Sequence, residues 1–239
     1  MKIVIEGPPQ GGKTTVASVV KERYGLCYVS TSEAVRNAVH LGNSAHSTML
    51  KQLIDNDELI PDSILVKVVS EATQRPDCIN GFVLDGFPRT RKQSKLLQEM
   101  ENVKVDTVVE LEVPDNVQQS RFGGRWFHTK SGRVYHTVYN PPLVAGRDDD
   151  SGEPLEQRQE DKPDMIMQRM FQYRRQLSEL RTTFSNEAWT TVEASGSVES
   201  VRNNVFAVLD PLYYAQNSKK MKSTHSGRST SWWQFWRRA

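Results

Sequence analysis

The sequence predicts an α/β domain built on a parallel β-sheet of about five strands flanked by helices. Short apolar segments at 3–5, 26–29, 82–85, 107–113 and 190–192 alternate with segments of helical periodicity. This alternation is typical of parallel strands joined by right-handed crossovers. The first segment runs into a glycine-rich loop and a helix, and the third ends in the carboxylate of Asp85. Both features are expected at the carboxyl edge of the sheet, where α/β proteins bind ligands.

The loop over residues 7–14 has the pattern G-x-x-x-x-G-K-[ST] between a strand and a helix. Gly11 and Gly12 can turn successive backbone N–H groups toward one anion, and the following helix adds its positive end. Lys13 supplies a cation for the outer phosphates, and Thr14 or Thr15 offers a hydroxyl to Mg²⁺. A chance glycine turn is the less favoured alternative, because the strand and helix are both in place. The loop therefore predicts a nucleoside triphosphate site and a fold of the P-loop NTPase type.

Composition indicates a globular protein without a membrane anchor in its main body. The chain has 239 residues, enough for one α/β domain with inserts, and 25% of them are charged. We find neither an apolar segment of membrane-spanning length nor the apolar core of a signal peptide, so we expect a cytoplasmic protein. Cys27 and Cys78 are expected to be reduced thiols.

The basic residues are concentrated at the C-terminus. Residues 218–239 contain six Lys or Arg and no acid, so the net charge of +2 for the chain becomes −4 for residues 1–217. The main body is therefore not expected to bind nucleic acid.

Helices are predicted at 14–24, 34–40, 47–56, 61–73, about 91–100, 115–121, about 165–177 and 200–209. Gly25 is a suitable C-cap for the first helix, and Ser30 with Glu33 forms an N-cap pattern for the second. Residues 124–161 are too long for an ordinary loop and contain short β-like pieces at 126–128 and 134–136. We interpret this stretch as a functional insert with its own small sheet.

Two further features point to chemistry on phosphates. Asp85 is the expected partner of the glycine loop, holding Mg²⁺ through water. Five arginines lie in or beside loop segments or insert boundaries: Arg36, Arg89, Arg125, Arg158 and Arg169. Phosphoryl transfer spreads negative charge over the transferred group, so converging guanidinium groups suit it. The alternative interpretation is that each arginine, taken alone, is an ordinary solvent-exposed surface residue.

Four motifs in order resemble the adenylate kinase family: the glycine loop, Ser30-Thr31 with Arg36, residues 81–93 including Asp85-Gly86-Phe87-Pro88-Arg89, and residues 131–136. The resemblance runs from Lys2 to about Leu209 and fits the family's long form. It implies a CORE at 1–30, 61–123 and 162–217, a helical NMP-binding insert at 31–60, a small β LID insert at 124–161, and a flexible tail at 218–239.

The resemblance also assigns residues to two nucleotide sites. The implied AMP site comprises Thr31, Arg36, Glu58, Leu59, Ile60, Gly86, Phe87, Pro88, Arg89, Gln93, Arg158 and Arg169. The implied ATP site comprises Gln10, Gly11, Gly12, Lys13, Thr14, Thr15, Arg121, Arg125, Val134, Tyr135 and Gly196. The implied catalytic residues are Lys13, Arg89, Arg125, Arg158 and Arg169, with Glu160 and Asp161 ordering the LID hinge and with Asp85 and Thr15 at Mg²⁺.

The LID positions that carry zinc in some relatives hold His128, Ser131, Asp148 and Ser151 here. Hydroxyls are poor zinc ligands, so we expect a hydrogen-bonded network and no structural zinc. Other positions also depart from the family pattern. Gln10 and Thr14 replace glycines, Ser32-Glu33 replaces Gly-Asp, and Asp57-Glu58 replaces Gly-Lys, which predicts weaker AMP binding or slower turnover.

The implied reaction is Mg²⁺-dependent transfer, ATP + AMP = 2 ADP, by a monomer. GTP as donor, another nucleoside monophosphate as acceptor, or a weakly active nucleotide sensor are the alternatives. The tail contains Trp232, Trp233, Phe235 and Trp236 among its basic residues. It can be a disordered extension, an interfacial membrane anchor or a docking segment for a protein partner.

Overall fold

The computed structural model describes residues 1–42, 45–56, 58–121, 123–157 and 161–226. Its strands are β1 (Lys2–Glu6), β2 (Cys27–Ser30), β3 (Phe82–Asp85), β4 (Thr107–Glu112), β5 (Arg125–Phe127), β6 (Val134–His136) and β7 (Trp189–Glu193). Its α-helices are α1 (Lys13–Tyr24), α2 (Thr31–Leu41), α3 (Ser47–Asp55), α4 (Asp62–Ala72), α5 (Arg91–Gln98), α6 (Asp115–Arg121), α7 (Pro163–Arg181) and α8 (Val198–Ser226).

The central sheet has five parallel strands in the order β2-β3-β1-β4-β7, which confirms the predicted fold class. The register places Ile5 beside Asp85 on one side and Glu6 beside Glu110 on the other. Ser30, at the end of β2, also pairs with Asp85. The three carboxylates therefore lie near one edge of the sheet, next to the loop that follows β1.

Both faces of the sheet are covered, because alternate strand residues point to opposite sides. Ile3 and Ile5 pack with buried residues of α1 and α8. Val4, between them, joins the opposite cluster, which includes residues of α4 and α5. Burial on both faces explains why the strands of the parallel sheet are apolar runs without alternation.

Helix α1 begins and ends at glycines with left-handed backbone angles. Gly12, the N-cap, has φ 88°, and Gly25, the C-cap, has φ 61° and donates its N–H to Lys21 O. A residue with a Cβ would be strained at either position. These two glycines fix where the loop gives way to the helix, and they confirm the predicted C-cap.

Side-chain caps fix the starts of two other helices. Ser30 Oγ accepts from the backbone N–H of Glu33 at the start of α2, as the sequence pattern predicts. Thr90 Oγ1 accepts from the N–H of Gln93 at the start of α5. Both caps lie just beyond the carboxyl ends of adjacent strands, β2 and β3, so they bring the starts of α2 and α5 to one edge of the sheet.

The insert at 124–161 contains the predicted small sheet. β5 and β6 pair antiparallel, with Trp126 opposite Tyr135, and Phe127 makes a further bridge to Glu156. Gly124, directly before β5, is closely packed against β6, because a Cβ at this position would lie 2.4 Å from His136 Cε1. Residues 158–160 of the insert lie outside the described residues.

The last helix is much longer than the sequence predicts. We expected an end near 209, but α8 continues through Pro211 to Ser226. Proline is unfavourable inside a helix, and packing on both sides of it opposes that cost. Leu209 is fully buried before it, and Tyr213 beyond it packs on Tyr24 with ring centroids 4.9 Å apart. The predicted tail therefore begins inside a helix, and residues 227–239 lie outside the described part of the chain.

No helix in the described ranges combines the length and apolar character needed to cross a bilayer.

The expectation of two reduced thiols is wrong, because Cys27 and Cys78 form a disulfide with Cα atoms 4.8 Å apart. Cys27 opens β2, and Cys78 lies in a 3₁₀ turn just before β3. The N–H of Cys27 donates to Gly81 O at 3.1 Å, so pairing of β2 with β3 brings the two sulfurs together. Their separation of 51 residues hides this proximity in the sequence.

Reduction of this disulfide should destabilise the protein. Opening a crosslink across 51 residues returns entropy to the unfolded chain and typically costs about 2–4 kcal/mol. Urea unfolding with and without dithiothreitol measures the difference. The Cys27→Ala, Cys78→Ala double variant is the control and should not respond to reductant. Equal stability of the oxidised and fully reduced wild type would contradict the prediction.

Candidate functional site

The loop after β1 is closed on itself in the free protein. The N–H of Gly11 donates to Pro8 O at 3.0 Å, and a Cβ on Gly11 would lie 2.9 Å from that oxygen. Lys13 Nζ donates to Gly7 O and to Pro8 O, both at 2.7 Å. The lysine ammonium thus lies over the loop, bound to carbonyls that a phosphate group can replace.

Lys13 is also where groups from distant segments meet. Burial lowers the pKa of Lys13 to about 8, Asp85 and Glu6 oppose this shift by their charges, and Arg89 and Arg169 add to it. The two arginines come from the loop after β3 and from α7. The structure therefore brings the loop lysine together with two of the five arginines that the sequence singled out.

Three oxygen-bearing side chains meet beside the loop. Thr14 Oγ1 donates to Asp85 Oδ2 at 2.7 Å, and Tyr28 donates its hydroxyl to the same oxygen at 2.6 Å. Oxygen ligands of this kind suit Mg²⁺, which usually keeps several waters, so the residues fit the metal. The sequence assigned Thr15 to the metal, but the hydroxyl placed on Asp85 belongs to Thr14. Tyr28 was missed, and no sequence pattern marked it.

The loop after β3 is shaped around its arginine. Gly86 has φ 62°, and its carbonyl accepts from Arg89 Nε at 2.9 Å. Gln93 Oε1 accepts from the N–H of Arg89 at 2.8 Å, and Gln93 Nε2 donates to Asp62 Oδ1 at 2.8 Å. Asp62, another residue that the sequence did not single out, thus orients the amide of Gln93, which the resemblance placed in the AMP site.

Other residues assigned to the AMP site differ in exposure. Phe87 is 1% exposed and is joined to the buried Pro88 by a cis peptide bond. Thr31 Oγ1 is buried and has no hydrogen-bond partner among the described residues. Arg36, Glu58 and Leu59 are exposed and Ile60 is half-buried, while Asp57 lies outside the described residues.

Arg125 is held at the base of the insert. Its Nε and Nη2 lie 2.9 Å and 2.7 Å from the two carboxylate oxygens of Asp161, which is 1% exposed. Arg121 donates to Ala194 O at 3.2 Å, next to the Gly196 turn, and its guanidinium lies over the ring of Tyr139. Arg158 and Glu160 lie outside the described residues, so the structure does not place them.

The insert is held together by a hydrogen-bonded network centred on Asp148, which is 2% exposed. His128 Nδ1 lies 2.8 Å from Ser131 Oγ, and Ser151 donates both N–H and hydroxyl to Asp148 Oδ2. A side-chain hydrogen bond from Arg133 holds the pKa of Asp148 well below its ordinary range. The four residues at the zinc positions are therefore bonded within one network.

Three members of this network were missed or assigned elsewhere: Arg133, Tyr135 and Glu153. Tyr135 donates its hydroxyl to Asp148 Oδ1 at 2.9 Å, and Glu153 Oε2 lies 2.7 Å from His128 Nε2. The sequence placed Val134 and Tyr135 together in the ATP site. Adjacent strand residues point to opposite faces, so Tyr135 is buried in the network while Val134 is 45% exposed.

Gln10 has an unusual backbone. Its φ is 57°, whereas every other residue with positive φ in the described ranges is a glycine. The left-handed region costs a residue with a Cβ about 1 kcal/mol or more. The resemblance implied a glycine at this position, and glycine would adopt this backbone angle without strain.

Glu6 is the main functional candidate that the sequence analysis missed. It ends β1 directly before the loop, is 3% exposed, and its Oε1 has no hydrogen-bond partner in the described part of the chain. Burial raises the pKa of Glu6 to about 8 against the opposing charges of Lys13 and Arg89. Its neighbour Glu110 differs, accepting from Arg181 Nε at 3.0 Å and from the Trp189 indole at 2.8 Å. An acid ending an apolar strand, the signal that identified Asp85, also marks Glu6.

Glu6 should make stability depend on pH. Its ordinary pKa is 4.5, so between pH 4.5 and 8 the folded protein keeps a proton that the unfolded chain has lost. The free energy of unfolding therefore falls as the pH rises through this window. Between pH 5 and 7 the wild type should lose at least about 1 kcal/mol more than Glu6→Gln, since one proton is worth ~1.4 kcal/mol per pH unit. Urea unfolding at each pH measures this.

Glu22→Gln, which changes an exposed acid on α1, is the matched control and should follow the wild type. Parallel pH profiles for the wild type and Glu6→Gln would show that Glu6 is ionised throughout.

Comparison with known proteins agrees with this geometry. The family model for adenylate kinase matches residues 5–189. Adenylate kinase of Francisella tularensis subsp. novicida (strain U112) is 36% identical over 218 residues, covering 88% of this chain and 99% of that protein. Adenylate kinase of Francisella tularensis subsp. tularensis (strain WY96-3418) matches with the same identity and coverage. The chain belongs to the adenylate kinase family.

Proposed function

We propose that the chain is an adenylate kinase that transfers the terminal phosphoryl group of ATP to AMP and forms two ADP. The observation that carries this proposal is the arrangement of charged groups around Lys13 at one edge of the sheet. The next residue, Thr14, hydrogen-bonds Asp85 at 2.7 Å, and a Cβ on Gly86 would lie 3.2 Å from Lys13 Cε and 4.0 Å from Arg89 Nη2. The charge of Arg169 also acts on Lys13. A protein that only binds nucleotides has no need for cations directed at the phosphoryl group that lies between the donor and acceptor nucleotides.

The donor triphosphate is proposed to lie on the loop of residues 10–15. Its phosphates replace Gly7 O and Pro8 O as partners of Lys13 Nζ, which now lies 2.7 Å from each. An anion gives the buried ammonium a full counter-charge in place of two carbonyl dipoles. Arg121, beside the Gly196 turn, fits the adenine side of this site.

The acceptor monophosphate is proposed to lie between α2 and the loop after β3. Arg36 and Arg89 bind its phosphate, and the buried Thr31 hydroxyl is available to it. Gln93, oriented by Asp62, presents its amide to the base. The segment at 58–60, in which Glu58 and Leu59 are exposed, closes over the nucleotide.

The transfer itself needs positioning and charge. An oxygen of the AMP phosphate attacks the terminal phosphorus, and the bond from that phosphorus to the bridging oxygen of ADP breaks. Arg125, Arg158 and Arg169 neutralise the transferred group, so neither a covalent intermediate nor a general base is required. Closure of the LID over the site keeps water from taking the phosphoryl group.

Asp85, through water, and Thr14 are proposed to hold Mg²⁺, which neutralises charge on the donor phosphates. The LID is proposed to fold without zinc. Its His128, Ser131 and Ser151 already hydrogen-bond within the network around Asp148, and two of them are hydroxyls, which zinc binds poorly. We propose that the chain acts as a monomer in the cytoplasm.

A coupled assay over a matrix of ATP and GTP donors with several nucleoside monophosphates tests the function. ATP with AMP should be the fastest pair. Background activity with this pair and fast turnover with another would overturn the adenylate specificity. Inactivity with every pair would favour a nucleotide sensor.

In the same assay, Lys13→Ala and Arg89→Ala should each lower kcat by about 10³-fold or more, because each removes a cation from the reacting phosphates. Lys21→Ala and Arg91→Ala, which remove exposed cations nearby, are matched controls and should stay within about twofold. Circular dichroism checks that each variant is folded. Small effects of both site variants would refute the residue assignment.

The C-terminal segment at 218–239 is proposed to bind anionic membrane surfaces. The segment contains six basic residues and no acidic residue. The aromatic rings of Trp232, Trp233 and Trp236 are of the kind that favours the lipid headgroup region of a membrane. The helix α8 carries the start of this segment, at positions 219, 220 and 222, beyond the last core contacts at Leu209 and Tyr213.

Sedimentation with vesicles tests this interaction. The full chain should bind vesicles containing phosphatidylserine, and a chain ending at Asn217 should not. Replacing Trp232, Trp233 and Trp236 by alanine keeps the charge and should weaken binding if the aromatic rings insert. Equal binding by the full and shortened chains would end the membrane proposal and leave a disordered extension or a protein partner.

A further inference from the structure

The strained Gln10 connects two parts of the site that are far apart in sequence. Gln10 Nε2 donates to Asp161 Oδ1 at 3.3 Å, across 151 residues. Asp161 is at the far end of the LID insert and holds Arg125, at the near end, by two hydrogen bonds. The path from Gln10 through Asp161 to Arg125 therefore joins the phosphate-binding loop to both ends of the insert.

The chemistry of Asp161 decides how the Gln10 amide is oriented. An ionised carboxylate can only accept hydrogen bonds, so the NH₂ group of Gln10 must face it. The other end of the amide, Oε1, is then buried and has no hydrogen-bond partner among the described residues. Gln10 thus combines a strained backbone with an unpaired acceptor, and glycine at this position would avoid both. The contact that distinguishes glutamine from glycine here is the one to Asp161.

Asp161 is a suitable point for such a connection. It is 1% exposed, and both of its carboxylate oxygens are bonded to Arg125. A buried carboxylate with several donors has little freedom to move, so Asp161 is a fixed point at which Gln10 and Arg125 meet. The loop and the arginine act on the same phosphate groups, so their relative position affects turnover.

We propose that Gln10 is a positioning residue, which ties the phosphate-binding loop to the base of the LID through Asp161 and so places Arg125 relative to Lys13. The inference rests on the proposed function only for its effect on turnover. The tie itself is a property of the free protein and can be measured without nucleotide.

Gln10→Gly removes the tie together with the backbone strain, and Gln10→Ala removes the tie but keeps the strain. Hydrogen exchange of the free protein should become faster at 123–127 and 155–157 in both variants. The thermal midpoint of Gln10→Gly should be no lower than that of the wild type. The kcat/KM for ATP should nevertheless fall about 10- to 100-fold in both variants, as expected for a misplaced arginine.

A double-mutant cycle with Asp161→Asn separates this role from a general effect on the loop. In the Asp161→Asn background, Gln10→Gly should change kcat/KM by less than about twofold, because the tie is already weakened. Full activity and unchanged exchange in Gln10→Gly would show that the glutamine is merely tolerated and would overturn the proposal. Equal effects of Gln10→Gly in both backgrounds would do the same. An inactive wild type would instead refute the proposed function, while hydrogen exchange would still test the tie.

Discussion

The placement of a buried ammonium, Lys13, at the end of β1 is the interaction on which the rest of the site depends. A cation removed from water needs partners, and here these are Gly7 O and Pro8 O of the loop and the nearby charge of Asp85. The positive charges of Arg89 and Arg169 repel the Lys13 ammonium and lower its pKa. The site is therefore poised to accept a polyanion, because several phosphates can satisfy all these cations together.

The register of the parallel sheet is what assembles this arrangement. β1 lies between β3 and β4, so Ile5 pairs with Asp85 and Glu6 with Glu110. The two glutamates are neighbours with different surroundings. Glu110 accepts hydrogen bonds from Arg181 and Trp189, whereas Oε1 of Glu6 has no hydrogen-bond partner among the described residues. Burial without a direct partner favours the neutral acid. One residue of register shift would reverse which side chains face the loop.

Polar contacts order the insert at 124–161. Asp148 accepts from Arg133, Tyr135 and Ser151, and its low pKa keeps it charged over the physiological range. Because the donors lie just before β6, in β6 and in the loop beyond it, the network joins both halves of the insert.

The sequence by itself determined the fold class and most helix and strand positions, and it singled out the glycine loop, Asp85 and Arg89 as candidates, since glycine placement, strand periodicity and motif spacing are local properties. Only the tertiary structure decided that Cys27 joins Cys78, that Glu6 is buried beside Lys13, and that Gln10 reaches Asp161. It also decided that Thr14, and not Thr15, meets Asp85, and that α8 continues past Pro211. Most of these depend on contacts between segments distant in sequence, which no local pattern records, whereas Glu6 ends an apolar strand as Asp85 does and only its burial had to come from the tertiary structure.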